Sequence, residues 1–253
     1  MFRNQLRKVE RLDFILAGAQ KSGTTALHYF LESHPEITMG GQQEMHFFDD
    51  EEIFSGQVDY GLLHKHFAPV RPVTIAGECT PIYIYWKPAM ERIWKYNPTI
   101  KLLIILRNPI ERAYAHWNMQ RFKGREQLDF LDAVKEEKNR AKKAAPLQLR
   151  RYSYVDRGLY TEQLERVFAF FPSEQVKIIK FEEFRDKKPE TLGSIFRFLR
   201  VGPIRSKRNK DRNVVPYERE ITSNERQYLY RIFAKDIAKL EEMLDWDCSD
   251  WKL

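Results

Sequence analysis

The chain has 253 residues, of which 43% are hydrophobic and 31% charged, so one large domain or two small ones can bury a real core. Its 11 glycines and 12 prolines are too few for a fibrous chain, and its longest apolar runs, such as 102–106, are too short to span a bilayer. The 43 lysines and arginines against 36 aspartates and glutamates give a formal charge of +7, which fits either a nucleic-acid binder or a protein that binds a multiply anionic small molecule.

Apolar runs of strand length alternate with helical patterns along the chain. The predicted strands are 12–17, 73–76, 101–106 and 176–181. The predicted helices are 24–34, 88–96, one that starts at Pro109, 128–144, 160–171, 191–199 and 224–244. This alternation is typical of an α/β fold with a central parallel sheet flanked by helices on both faces. No repeat or linker marks a boundary, so one domain over residues 1–253 is predicted.

The cysteines and histidines indicate the cellular location of the protein and whether it binds a metal. Cys79 and Cys248 are the two cysteines, so a disulfide framework is ruled out and a reducing, cytoplasmic location is expected. The basic start of the chain leads into no apolar signal-peptide stretch, which agrees with that location. Neither the cysteines nor the six histidines have metal-ligand spacing, so we expect buried apolar cysteines and no metal site.

Two charge runs lie in different contexts. The run 135–143 falls in a predicted helix and is interpreted as a solvated helix face. The run 205–212 carries five cations between predicted helices. It is either a flexible surface loop or a clamp for an anion, and the run by itself does not choose between them.

The first strand and the first helix are joined by a loop that begins at Gly18 and reaches the helix after Gly23. A loop of this kind points unpaired backbone N–H groups and the positive end of a helix dipole at one place, where a phosphate binds. The spacing matches the G-x-x-x-x-G of nucleotide-binding loops, but Thr24 stands where those loops place lysine, and Lys21 lies inside the loop. Arg107 follows the strand 101–106 where a Mg-nucleotide site would need an acid. The loop therefore predicts binding of a phosphorylated group without metal-dependent nucleotide hydrolysis, and the alternative is a simple Gly/Ser turn.

Four stretches together resemble a known family. Residues 18–25 look like the 5′-phosphosulfate loop of sulfotransferases that use 3′-phosphoadenosine 5′-phosphosulfate (PAPS), and 104–117 look like their 3′-phosphate motif. The stretches 157–164 and 244–251 also agree with the family. The resemblance runs over nearly the whole chain and implies the P-loop NTPase-like sulfotransferase fold.

The resemblance implies which residues bind the donor. The residues implied to hold the 5′-phosphosulfate are Lys21, Ser22, Gly23, Thr24 and Thr25. Lys21 would neutralise charge on the bridging oxygen as the sulfuryl group leaves. Arg107 would grip the 3′-phosphate through its fork of N–H donors. Ala115 stands where the family usually has a serine that also binds this phosphate, and Lys210 and Arg212 of the basic run are the predicted compensation.

The segment 43–49 resembles the Lys-Glu-x-x-Phe-Phe segment of heparan-type sulfotransferases, in which the glutamate is the catalytic base. Glu44 therefore carries over as the base that takes the acceptor's proton. Gln43 stands where those enzymes often have lysine, so the role of that lysine does not carry over to this chain. His46 is the alternative base and His116 a weaker one.

Other residues keep two interpretations. Glu78 matches a family segment and is either structural or orients the acceptor. Trp86, Trp94 and Trp117 either stack on a sugar or adenine, or pack in the core, which is the preferred interpretation.

The sequence as a whole predicts a sulfotransferase that moves a sulfuryl group from PAPS to a hydroxyl or amine of a carbohydrate or small molecule. Transfer would be in line and metal-free, and the product nucleotide would be 3′-phosphoadenosine 5′-phosphate. No nucleic-acid partner and no transmembrane anchor are expected, and the acceptor and oligomeric state are left open. The alternatives are a kinase-like NTPase of related fold, and a non-enzymatic basic module that binds nucleic acid or sulfated glycan.

Overall fold

The structure is a computed structural model that describes residues 6–204 and 216–252. Its described residues fall into two compact units. The sheet unit comprises residues 6–106 and 167–204, and the helical unit comprises 107–166 and 216–252. The basic run 205–212, with the predicted phosphate ligands Lys210 and Arg212, lies outside the described residues.

The sheet unit is built on five parallel strands. They are β1 Phe14–Gly18, β2 Ile37–Met39, β3 Ile75–Cys79, β4 Lys101–Leu106 and β5 Val176–Lys180. Their order across the sheet is β2-β3-β1-β4-β5, so β1 lies at the centre with β3 and β4 as its neighbours. Phe14 stands opposite Gly77 on one side and Lys101 on the other. The predicted central parallel sheet is confirmed.

Helices alternate with these strands. In chain order they are α1 Thr24–Glu32, α2 Gly61–His64, α3 Ala89–Tyr96, α4 Pro109–Phe122, α5 Phe130–Ala144, α6 Tyr160–Phe170, α7 Phe181–Asp186, α8 Lys188–Leu199 and α9 Ser223–Leu244. No helix in the described part of the chain is long and apolar enough to cross a membrane.

The core of the sheet unit explains why these strands are almost wholly apolar. Every residue of β1 and all of β4 after Lys101 are buried. Because successive strand residues point to opposite faces, burial of both sets shows that both faces are covered. On one face, α1, α7 and α8 pack their apolar side chains against Phe14, Leu16 and Leu103. The predicted helices on both faces of a parallel sheet are therefore present.

The helical unit has its own aromatic and polar core. Its helix α4 begins where Asn108 accepts the Ile110 N–H at 3.0 Å and Pro109 occupies the first turn, a favourable helix start. Further along α4, Tyr114 packs against Trp117 with ring centroids 5.3 Å apart.

Most predicted elements lie within two residues of the observed ones, and the exceptions have local causes. The strand predicted at 73–76 begins at Ile75 and runs to Cys79. The elements β2, α2 and α7 were not predicted, because three, four and six residues are too few to display a period. Helix α8 begins three residues before the prediction of 191 because Pro189 fits its first turn.

Several interpretations of single residues are also settled by burial. Cys79 and Cys248 are buried free thiols, as predicted. Trp86 and Trp117 are core residues with 1% exposure each, whereas Trp94 is 42% exposed. The lysines of the run 135–143 are exposed on α5, in agreement with the solvated face.

Candidate functional site

The loop after β1 is shaped by two glycines. A Cβ on Gly18 would lie 2.5 Å from the Ile84 side chain, so the backbone there approaches its neighbour too closely for any other residue. Gly23 has a φ of 91°, and a Cβ on it would lie 2.8 Å from the Phe181 ring. Lys21 also takes a left-handed conformation, with a φ of 70°. The loop is a compact cradle rather than an ordinary turn.

Helix α1 starts directly after this cradle with its N–H groups available. Within the described residues, no side chain caps α1, and its first turn contains no acidic residue. The dipole at such a start favours an anion, and the backbone donors supply its hydrogen bonds. Thr24 is buried and Thr25 is half-buried at the helix start. This donor set, with Lys21 beside it, fits a phosphate or sulfate ester.

Ser22 differs from the other loop residues. Its side chain is fully buried, and its Oγ has no hydrogen-bond partner among the described residues. Its N–H donates to the Ala19 carbonyl at 3.1 Å, which closes the turn. The hydroxyl of Ser22 is therefore buried with its hydrogen-bonding capacity unused by the described residues.

The parallel sheet brings the loop and the predicted base to the same edge. In a parallel sheet, the segments that follow the strands all emerge at the carboxyl edge. The cradle follows β1, the Glu44 segment follows β2, and Glu78 lies near the end of β3. Because β3 lies between β1 and β2, all three belong to neighbouring strands of one unit. The predicted base and the predicted phosphate loop therefore lie at the same edge of the sheet.

Glu44 belongs to a cluster with His46 and Asp49. The imidazole Nε2 of His46 lies 3.5 Å from Glu44 Oε2, and its Nδ1 lies 3.0 Å from Asp49 Oδ2. Asp49 is fully buried, whereas the side chains of His46 and Glu44 are 47% and 44% exposed. The hydrogen bond to Asp49 and then that to Glu44 raise the pKa of His46 to about 9. His46 is therefore protonated at neutral pH and donates to both carboxylates.

The segment that carries the cluster is docked on β3 and the residues that follow it. The Glu44 N–H donates to the Cys79 carbonyl at 3.0 Å, and the His46 N–H donates to Thr80 Oγ1 at 3.4 Å. The hydroxyl of the buried Tyr83 accepts the Phe47 N–H at 3.1 Å and, at 3.4 Å, the N–H of the next residue. Glu44 and His46 both have left-handed backbones, with φ of 53° and 55°. These contacts hold a conformation that non-glycine residues rarely adopt.

Glu78 stabilises the docked segment through Thr80, which contacts His46. Its Oε2 accepts a hydrogen bond from Thr80 Oγ1 at 2.8 Å, and the residue is 1% exposed. Burial raises the pKa of Glu78 to about 8, so its carboxyl is mainly neutral at pH 7. These contacts favour the structural interpretation of Glu78.

The helical unit holds the predicted 3′-phosphate ligand Arg107. Its side chain is 18% exposed, and its guanidinium NH2 lies 3.6 Å from Glu111 Oε2. The hydroxyl of Tyr160 donates to the Arg107 carbonyl at 2.8 Å. Ala115 is buried and carries no hydroxyl to add to the site. His116 is fully buried beside Gln120, so it is not placed to receive a proton from an acceptor.

The sequence reasoning missed the residues that position the cluster. Asp49 lies in the segment 43–49 but had no predicted role, and Thr80 and Tyr83 follow Glu78, which was the predicted functional residue of its stretch. The signal available was that Asp49 stands three residues after a candidate histidine. In the part of the chain that the structure describes, no three His, Cys, Asp or Glu side chains form a group able to hold a metal ion.

Comparisons with known proteins agree with the geometry. Residues 11–212 match the family model described as a sulfotransferase domain. Heparan sulfate glucosamine 3-O-sulfotransferase 5 of Mus musculus is 32% identical over 195 residues, which are 77% of this chain and 55% of that protein. Bifunctional heparan sulfate N-deacetylase/N-sulfotransferase 2 of Homo sapiens is 29% identical over 76% of this chain and 22% of that protein. The matched region thus spans about half of the first relative and less of the second.

A solved structure extends the similarity to the fold. The crystal structure of a sulfotransferase from Alicyclobacillus acidocaldarius aligns with a TM-score of 0.81 and 30% identity. The alignment covers 96% of this chain and 99% of that one, so the predicted sulfotransferase fold is confirmed. The chain belongs to the sulfotransferase domain family, as its motifs predicted.

Proposed function

We propose that this chain is a PAPS-dependent sulfotransferase that transfers a sulfuryl group to a hydroxyl or amine of a carbohydrate or small molecule. One observation carries the proposal: a phosphate cradle after β1 and an ion-paired carboxylate, Glu44, after β2 lie at the same edge of one parallel sheet, separated by the single strand β3. Transfer of a charged group to a protic nucleophile needs both an anion site and a proton acceptor.

The cradle is proposed to bind the 5′ end of the donor. PAPS supplies an activated sulfuryl group, and the transfer forms the acceptor–sulfur bond while the sulfur–oxygen bond to the nucleotide breaks. The N–H groups at the start of α1 bind the anionic 5′ end, and Lys21 balances the negative charge that grows on the nucleotide oxygen. Arg107 of the helical unit is proposed to bind the 3′-phosphate. No metal is assigned to any step.

Glu44 is proposed as the general base. A carboxylate placed beside the acceptor can take the proton of an attacking hydroxyl or amine, and this is the role proposed for Glu44. His46 suits this role less well because two carboxylates keep it protonated. Its N–H to Glu44 instead orients the carboxylate, and buried Asp49 holds the other side of the ring.

The acceptor is proposed to be a sugar hydroxyl or amine. The heparan sulfate relatives are named for O- and N-sulfotransfer. The match to the sulfotransferase family model, over residues 11–212, contains Lys21, Glu44 and Arg107. A cytoplasmic location stays a prediction.

The test is transfer of labelled sulfate from PAPS to a panel of acceptors that includes heparan oligosaccharides with free amines, neutral sugars and phenols. We expect Lys21→Ala and Glu44→Gln each to lower kcat/KM by about 100-fold or more. The matched controls are Lys95→Ala, at an exposed lysine paired with Glu91 on α3, and Glu190→Gln, at an exposed position of α8. Both controls should keep wild-type turnover.

Three results would overturn the proposal. Full turnover in Lys21→Ala would remove the role of the loop, and Mg²⁺-dependent hydrolysis of ATP would favour a kinase-like NTPase. Salt-sensitive oligonucleotide binding that is unaffected by 3′-phosphoadenosine 5′-phosphate, together with no transfer, would favour a basic binding module. Unchanged turnover in EDTA is expected because no step uses a metal.

A further inference from the structure

A second acidic residue with two cationic partners lies in the helical unit. Glu111 on α4 has one carboxylate oxygen 3.6 Å from the Arg107 guanidinium and the other 2.5 Å from NH1 of Arg226 on α9. The side chains of Arg107, Glu111 and Arg226 are 18%, 27% and 39% exposed, so each reaches both protein and solvent. We call these three residues the arginine relay.

The helices fix the geometry of the relay. Arg107 and Glu111 are four residues apart at the start of α4, so their side chains lie on the same face of the helix. Arg226 comes from α9, and its contact with Oε1 restrains the carboxylate that faces Arg107 through Oε2. A carboxylate held at both oxygens loses rotational freedom before any ligand arrives, which lowers the entropy cost of fixing Arg107.

The backbone of Arg107 is held independently of its side chain. Its carbonyl accepts the hydroxyl of Tyr160 at 2.8 Å. The Tyr160 N–H in turn donates to Asp236 Oδ2 at 2.7 Å, so α9 also fixes the start of α6. Arg107 is therefore restrained at its carbonyl through Tyr160 and at its guanidinium through Glu111.

The charge of the relay suits a phosphate monoester. Two guanidinium groups and one carboxylate sum to a charge of +1, so the relay can pair with an added anion. Ala115, one turn after Glu111, offers no hydroxyl, so a phosphate near Arg107 depends on the positioning of the guanidinium itself.

We propose that Glu111 and Arg226 are positioning residues that hold the guanidinium of Arg107 for the 3′-phosphate of the nucleotide donor. This inference rests on the proposed function and extends it by assigning two residues that control recognition of the phosphate on the ribose. For removal of the Glu111 charge, this inference predicts the opposite of simple electrostatics. Loss of a nearby negative charge alone would strengthen binding of an anion, whereas loss of the positioning of Arg107 weakens it.

The test uses titration calorimetry with two nucleotides that differ by the 3′-phosphate alone, namely 3′-phosphoadenosine 5′-phosphate and adenosine 5′-phosphate. The Kd of adenosine 5′-phosphate divided by the Kd of 3′-phosphoadenosine 5′-phosphate measures what the 3′-phosphate contributes, and a lower value means a smaller contribution. We expect Glu111→Gln and Arg226→Gln each to lower this ratio about fivefold, while the Kd of adenosine 5′-phosphate stays within twofold of wild type. Arg231→Gln, an exposed arginine of α9, removes the same charge and should leave the ratio unchanged.

The outcomes separate this inference from the proposed function. A wild-type protein with equal affinity for both nucleotides would overturn the donor assignment itself. A wild-type preference for the bisphosphate, with tighter binding in Glu111→Gln or no change in Arg226→Gln, would overturn the relay alone. Recovery of the ratio in Arg226→Lys, with an unfolding midpoint equal to that of wild type in every variant, would support positioning rather than loss of fold.

Discussion

The phosphate loop and the Glu44 segment lie at the same sheet edge, but they are held in different ways. The loop is shaped mainly by its own backbone, with left-handed conformations at Lys21 and Gly23 and a turn closed by the Ser22 N–H on the Ala19 carbonyl. The Glu44 segment is held by groups distant in sequence, since its His46 N–H reaches Thr80 over 34 positions and its Phe47 N–H reaches Tyr83 over 36. The conformation of the loop proposed to bind the donor is thus set largely within the loop, whereas the orientation of the proposed base depends on tertiary contacts.

The sharpest test of local encoding is Gly23→Ala. A methyl group there meets the Phe181 ring at 2.8 Å and must adopt a φ of 91°, so we expect a loss of about 2 kcal/mol or more in the free energy of unfolding. Binding of 3′-phosphoadenosine 5′-phosphate should also be lost, as measured by calorimetry. Gly56→Ala is the matched control, because nothing lies within 4 Å of its added Cβ. Wild-type stability and affinity in Gly23→Ala would contradict the backbone account of the loop.

Tyr83→Phe tests the long-range docking and should have a smaller effect. It removes the hydroxyl that accepts the Phe47 N–H, and an unpaired buried N–H costs about 1–3 kcal/mol. We expect kcat to fall about tenfold because the base loses its position, while the affinity for the product nucleotide stays unchanged. Tyr228→Phe, on an exposed tyrosine of α9, serves as the control. Equal losses in turnover and nucleotide affinity would mean general damage instead of misplacement of Glu44.

The smallest effect is a pH dependence carried by His46. Its raised pKa of about 9 means that the folded protein binds this proton more tightly than the unfolded chain. The stabilisation is therefore complete below about pH 6.5 and is lost as pH rises through about 9. We expect kcat to decline over the upper part of this window, as the imidazole ceases to donate to Glu44.

Asp49→Asn provides the matched variant for this pH profile. The hydrogen bond to Asp49 is the largest cause of the raised pKa of His46, so its loss should move the alkaline decline in kcat to lower pH. A profile that is identical in wild type and Asp49→Asn would show that protonation of His46 does not affect turnover.

Much of the site was predictable because its signals are short-range. A buried parallel strand needs a continuous apolar run, as in β4, and a phosphate loop needs glycines next to a helix start, as at Gly18 and Gly23. Glu44 was predicted as the base from a motif of consecutive residues, and that role stays a prediction. The short strand β2, whose end places Glu44, has three residues and displays no period.

The remainder of the site was not predictable because it depends on which segments become neighbours. The protonation of His46 follows from carboxylates on both of its sides, and residue types alone do not give their distances. The roles of Thr80 and Tyr83 appear once β3 pairs in the sheet and the segment after β2 docks on the residues that follow β3. The arginine relay likewise needs α9 beside α4.

The sequence by itself determined the family, the parallel α/β class and the loop proposed to bind the donor, because apolar periodicity and glycine placement act within a few residues. The tertiary structure decided how Glu44 is held, why His46 carries a proton and how Arg107 is restrained. Hydrogen bonds and ion pairs act over a few ångströms, and folding alone brings residues tens of positions apart within that distance. For the same reason, the net charge of +7 does not distinguish a nucleic-acid binder from a protein that binds a small anion. The positions of Lys21, Glu111 and Arg226 in the structure instead lead to specific experiments.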